Sequence, residues 1–180
     1  MSQYTYKSSI DFITDLCFEY IETYSFQRGE EFEKNNQLNL SEYETLQRRK
    51  LRKNDLTSPQ ELKLNELKKL VGFTQYILNE EGEFHFSSKK INSFKSTDKE
   101  AINLKNILKT EINEIPDWMC APKYRDAVVF YDKNNKIITS LNICLSCQYM
   151  ETEMFNHING DKLTYDLLKQ FFIEIGHDVE

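Results

Sequence analysis

The sequence predicts an α+β fold: a mainly antiparallel sheet of about four strands, built from two hairpins and packed by about five helices, in a single domain over residues 1–180. Three observations predict it. Helix-start signals recur, two pairs of aromatic and β-branched segments flank turn residues, and an amphipathic stripe lies near the end.

In chain order, Ser8 and Ser9 offer N-caps, and Ile10, Ile13, Cys17, Tyr20 and Tyr24 recur at helical spacing. They predict a helix over 10–24 that buries Cys17. Residues 27–39 read as a polar loop around Gly29, and 27–57 as a mobile or helical insertion. Ser41-Glu42-Tyr43-Glu44 opens a helix running to Lys53. Ser58-Pro59-Gln60-Glu61 opens another that stops at Gly72. Phe73 to Asn79 and Glu83 to Ser88 predict a hairpin, with His85 on the face opposite Phe84 and Phe86 as a surface or cross-strand residue. Thr97-Asp98-Lys99-Glu100 begins a helix whose face is Ala101, Leu104, Leu108 and Ile112. A second hairpin joins Asp126–Tyr131 to Ile137–Cys144, and the run Ala127-Val128-Val129-Phe130-Tyr131 predicts a central strand. Leu163, Leu167, Leu168, Phe171, Phe172 and Ile175 form the last helix, capped by Gly176, with His177 in a frayed tail.

Net charge of −6 argues against general affinity for nucleic acid or an anionic membrane. There is no apolar run of membrane-spanning length, and the first residues lack the basic-then-apolar order of a secretory signal. The expectation is a cytoplasmic protein whose four cysteines are thiols or metal ligands. Arg48-Arg49-Lys50-Leu51-Arg52-Lys53 reads as a solvated helix end rather than a phosphate grip. Glu80-Glu81 and Glu151 to Glu153 read as solvated carboxylates. The chain carries no Gly-rich phosphate loop, His-Glu-x-x-His or Gly-x-Ser-x-Gly.

The informative stretch runs from Trp118 to Cys147. A hairpin turning near Asn134 sets Tyr124 opposite Cys144 and returns Cys120 to the level of Gln148, although Pro122 donates no ladder bond. Cys120, Cys144 and Cys147 therefore converge at one end of the hairpin. Three chemistries fit. The three thiolates could hold zinc with His157 as fourth ligand, because a Cys-x-x-Cys pair brings two sulfurs to one point. Cys144 could act as a redox nucleophile with Cys147 resolving, if 148–156 forms a helix whose N-terminus lowers the thiol pKa. Or the thiols are small buried hydrophobes.

The segment MCAPKYRDAVVFYDKNNKIITSLNICLSC resembles one found in small uncharacterised bacterial proteins, with a Cys near a Pro and a basic residue, an apolar strand and a Cys-x-x-Cys. The resemblance implies that Cys120, Arg125, Cys144 and Cys147 work as a unit and implies no activity. The expected function is a non-enzymatic interaction protein, of an immunity or antitoxin-like kind, whose acidic surface steers onto a protein partner. Its rival is a thiol-dependent redox enzyme or sensor.

Overall fold

The computed structural model describes residues 4–53, 55–71, 75–117, 120–153 and 156–179. Gly72, Phe73 and Thr74 of the expected helix stop and first hairpin, together with Trp118 and Met119, lie outside them, as do Met154 and Phe155. The chain divides into two compact units, one formed by Met1–Gln27 with Tyr76–Glu180 and the other by Arg28–Gln75.

The larger unit is built on one mixed sheet of seven strands: β1 Thr5–Ser8, β2 Tyr20–Ser25, β3 Lys89–Lys95, β4 Asp126–Tyr131, β5 Ile137–Cys144, β6 Tyr149–Glu151 and β7 Asn156–Asn159, in the order β1-β7-β6-β5-β4-β2-β3. The expected four-stranded antiparallel sheet is thus wrong. β1 runs parallel to β7, and the other pairs are antiparallel. The α+β class and five helices hold among the described residues: α1 Ser9–Asp15, α2 Glu30–Lys53, α3 Ser58–Leu70, α4 Lys99–Leu108 and α5 Lys162–Glu174.

The largest correction lies in the first helix. Ser8 caps α1, its Oγ accepting from the Asp11 amide at 3.0 Å, but the helix ends at Asp15. Tyr20-Ile21-Glu22-Thr23-Tyr24 is instead a central strand. Ladder pairing wins over the helical spacing because β3 and β4 flank the segment on both edges. Cys17, expected in the core, falls in the connection and is exposed.

The 73–88 region holds an isolated bridge, Leu78 to Phe84, rather than two strands. The Asn79 side chain accepts from the amides of Glu81 and Glu83, which closes a tight loop in place of a long ladder. The strand on the outer edge of β2 is β3, whose Lys89, Lys90 and Lys95 hid it from an apolar-pattern search and suit it to a sheet edge.

The second hairpin lies where the sequence put it, and β4 is buried along its whole length. One face of the sheet packs Ile21, Val128, Phe130, Leu141 and Ile143 against Phe12 of α1 and against α4 and α5. The other face packs Tyr24, Ala127, Val129, Tyr131 and Cys144 with Phe26, Ile77 and Tyr124. Asp161 caps α5 and also accepts from the amides of Asn113 and Glu114, so one carboxylate gathers three backbone donors and its pKa falls.

The second unit is α2 and α3, whose own small core is Leu46, Leu64 and Leu67 with Tyr43 and Leu56 beside it. The expected loop over 30–39 is the start of α2, so Ser41 sits mid-helix rather than at a cap. The cap of α3 is Thr57, whose amide donates to Gln60 Oε1 at 3.1 Å. The basic block pairs within this unit, Arg48 with Glu44, Arg49 with Asp55 and Lys50 with Glu61.

Candidate functional site

Register places one row of chemistry on a single sheet face. Cys144 pairs with Tyr149, Asn142 with Glu151, Glu151 with His157, and Tyr6 with His157. Paired residues share a face and alternate residues return to it, so these side chains form a band across β5, β6, β7 and β1.

Glu151 is the centre of the band. It is 4% exposed, and its carboxylate accepts from the hydroxyls of Tyr76, of Tyr124 at 2.7 Å and of Tyr149 at 3.3 Å. Burial, and then the adjacent Glu151 charge, push all three phenols well above their usual range, so they remain donors. Asn142, fully buried, supports the band from below: its Oδ1 accepts from the Ile77 amide at 2.8 Å. Its Nδ2 donates to the Glu151 and Thr152 carbonyls at 3.1 and 3.0 Å. The expectation that Glu151 is solvated is therefore wrong.

At the β5 end of the band lie the cysteines. Cys120 and Cys147 are joined as a disulfide with Cα atoms 6.5 Å apart. Cys147 sits in the turn between β5 and β6, and its Sγ lies 3.9 Å from the Ala121 carbonyl. Cys144, the last residue of β5, is a free thiol, 1% exposed, packed in the same apolar cluster as Cys147 and 3.5 Å from Ser146 Oγ. The hairpin register differs from the sequence estimate by one, because an irregularity enters between Phe130 and Tyr131. Arg125 follows the disulfide-linked segment; its amide donates to the Ile143 carbonyl at 3.4 Å, and its carbonyl accepts from Phe26.

Two sequence expectations about this cluster change. The bond links Cys147 to Cys120 rather than to Cys144. The described residues of 148–156 hold β6 and the start of β7 rather than a helix, so the helix expected directly after Cys147 is not there to lower the Cys144 pKa. His157 lies farther along the band, its ring 4.1 Å from Tyr149, with Nδ1 buried and lacking a hydrogen-bond partner among the described residues. Burial lowers the imidazole pKa against the opposing pull of Glu151. Among the described residues no three His, Cys, Asp or Glu side chains converge on a metal position. The disulfide and a zinc thiolate centre are alternative states of the same sulfurs, so zinc fits only the reduced chain.

Two further polar knots flank the band. Glu22 accepts from Tyr24 at 2.6 Å, Tyr131 at 3.0 Å and Lys90 at 2.9 Å. Although burial opposes ionisation, these donors hold its pKa low. On the opposite face, His177 bridges Asp126 at 2.7 Å and Thr23 Oγ1 at 3.0 Å. A hydroxyl, imidazole and carboxylate in sequence resemble a nucleophilic relay, but Thr23 is 0% exposed and no substrate reaches it. The trio acts as a clamp, and His177 is buried rather than frayed.

A cleft of about 320 Å³ lies beside α1, lined by Thr5, Lys7, Asp15, Thr139 and Asn156 among others. Thr5, Lys7 and Asn156 alternate with Tyr6 and His157, so their side chains belong to the face opposite the band. Sequence reasoning named the cysteines and His157 but missed Glu151, Asn142 and the tyrosines. The available signal was Asn142 itself, a polar residue inside the strand Leu141-Asn142-Ile143, where burial requires partners. No helix among the described residues is long and apolar enough to cross a membrane. No family model, curated protein or solved structure matches the chain.

Proposed function

We propose that the chain is a thiol-redox sensor in which the Cys120–Cys147 bond forms and breaks. The observation that supports this reading is the position of the pair: Cys120 is exposed, Cys147 is nearly buried, and the bond tethers the segment that carries Tyr124 onto Glu151. In the cytoplasm, the compartment suggested by the sequence, such a bond is transient and regulatory.

The exchange balances with a small disulfide such as oxidised glutathione. The Cys120 thiolate attacks one sulfur and releases one glutathione thiolate, which takes a proton from solvent. The Cys147 thiolate then attacks Cys120 sulfur and expels the second glutathione. Two protein thiols are oxidised and one disulfide is reduced to two thiols. Reduction frees residues 120–125 to leave the sheet face, uncovering Glu151 and Cys144. The reduced sulfurs, with His157, are also the donor set on which zinc is proposed to bind.

Equilibration in graded glutathione ratios, read by mass spectrometry of alkylated peptides, tests the sensor. A midpoint between about −200 and −300 mV supports it. A bond that survives below about −300 mV is structural, and the reading falls. Elemental analysis of the reduced chain tests zinc, which should be stoichiometric and lost in C147S.

A second reading, a non-enzymatic protein-binding module of the immunity kind, draws support from the α2–α3 unit. Leu38, Leu40, Leu51, Leu62 and Leu70 are exposed there. Pull-downs from the native host should recover a stoichiometric partner that L51E with L62E no longer retains. Recovery of no such partner removes this reading.

A further inference from the structure

Glu151 raises a question of charge that the thiols do not answer. Its carboxylate is held by three neutral hydroxyls, and among the described residues no Lys or Arg nitrogen lies within ion-pair distance of it. The nearest imidazole, His157, is kept neutral by burial. A buried carboxylate that meets only neutral donors is a place where a ligand cation is favoured.

The surroundings say which cation. Beyond Glu151 the band ends in aromatic rings: Tyr149 lies 4.1 Å from His157, His157 lies 5.7 Å from Tyr6, and Tyr6 stacks on Tyr4 at 6.3 Å. Tyr4 and Tyr6 are exposed, Tyr149 is half-buried, and so the rings descend from solvent toward the carboxylate. Ring faces attract cations through the quadrupole, and tyrosine is an effective wall. Both Glu151 oxygens already accept hydroxyl hydrogens, which disfavours a ligand that brings strong directional N–H donors. Hard metal ions want several carboxylates, and among the described residues no three His, Cys, Asp or Glu side chains gather around one point. A cation without N–H groups, large and weakly hydrated, meets all three conditions.

We propose that this end of the band recognises a quaternary ammonium head group, with Tyr4, Tyr6 and Tyr149 as its aromatic walls and Glu151 as its buried counter-charge. The site does not rest on the thiol reading, because none of its residues is a cysteine and its aromatic walls lie outside residues 120–125.

The probe is tetramethylammonium chloride, titrated into the oxidised full chain against an equal concentration of sodium chloride and followed by the ring resonances of His157 and the tyrosines. Saturable shifts beyond the sodium control are expected. Tyr6, 67% exposed, tolerates substitution without loss of fold; Y6L should weaken binding about tenfold and Y6F should retain it. The uncharged isostere 3,3-dimethylbutanol should not bind. Choline and an N-trimethyllysine peptide form the two arms that identify the carrier, and saturable binding of either supports the site. Shifts no larger than with sodium chloride, equal binding of the neutral isostere, or full affinity in Y6L would each overturn it.

Discussion

His177 Nδ1 lies 2.7 Å from Asp126 Oδ1, joining the segment after α5 to the first residue of β4 across 51 positions of sequence. The other ring nitrogen meets Thr23 Oγ1, so β2, β4 and the tail share one imidazole. Replacing His177 by alanine removes both of these buried hydrogen bonds and should cost about 1.5–3 kcal/mol in urea unfolding. T23V removes one neutral hydrogen bond and should cost about 1 kcal/mol. Equal, small losses in both variants would deny the clamp.

How much of this was legible in the sequence divides along physical lines. The hairpin Asp126–Cys144 and the helices α4 and α5 were readable because their patterns are local: alternation, an apolar run, an N-cap, a glycine stop. Gly176, at φ +88°, ends α5 in the backbone conformation that glycine adopts freely. β2, by contrast, carried two periods at once, and only its neighbours on both edges decide between them. β1, β6 and β7 are three or four residues long, too short for periodicity to speak. Of the site, the sulfurs converged by hairpin geometry. The Glu151 band was hidden because its members come from four strands and the covering segment, and become neighbours only when β7 and β1 close the sheet.

Asn142 offers a second stability test. Its amide serves the Ile77 N–H and the carbonyls of Glu151 and Thr152, so it fastens the covering segment to the sheet and holds β6 in place. N142A leaves these buried groups unpaired and should cost about 2–4 kcal/mol. Near-UV circular dichroism should change with it, since Tyr76 and Tyr124 lose their fixed setting. An unaltered tyrosine signal would separate Asn142 from the band.

Thiol labelling should sort the four cysteines into three classes. Cys17 is exposed and reacts at once with a maleimide. Cys120 and Cys147 react only after reduction. Cys144, buried in the cluster of Tyr24, Val129 and Tyr131, should react at least about a hundredfold more slowly than Cys17, because reaction waits on opening of the fold. After reduction its protection should fall, if release of residues 120–125 uncovers it. Unchanged protection would mean that reduction leaves the face closed.

Acid should weaken the fold in two separable steps, the first belonging to histidine. His85, expected as a surface or cross-strand residue, is half-buried between Phe26 and Phe86, while Phe84 and Phe86 are the exposed pair. Its Nδ1 accepts from the Ser87 amide at 3.2 Å, a bond that protonation removes. Burial pushes its pKa down to about 4, and burial lowers that of His157 as well. A histidine that is harder to protonate folded than unfolded stabilises the native state fully above the unfolded value, about 6.5. That contribution is lost as pH falls from about 6.5 toward 4, because the unfolded chain takes up the proton first. For the partly solvated His85 ring, screening leaves an effect of order 1 kcal/mol. The carboxylates with lowered pKa, Glu22 and Asp161, act only at still lower pH, where protonation removes their donors' acceptor. Thermal unfolding followed from pH 7.5 to 4.5 should therefore show a falling Tm, and H85Q should flatten the slope without moving the loss below pH 4. A slope unchanged in H85Q would assign the first step to His157 instead, and H157Q would then carry it.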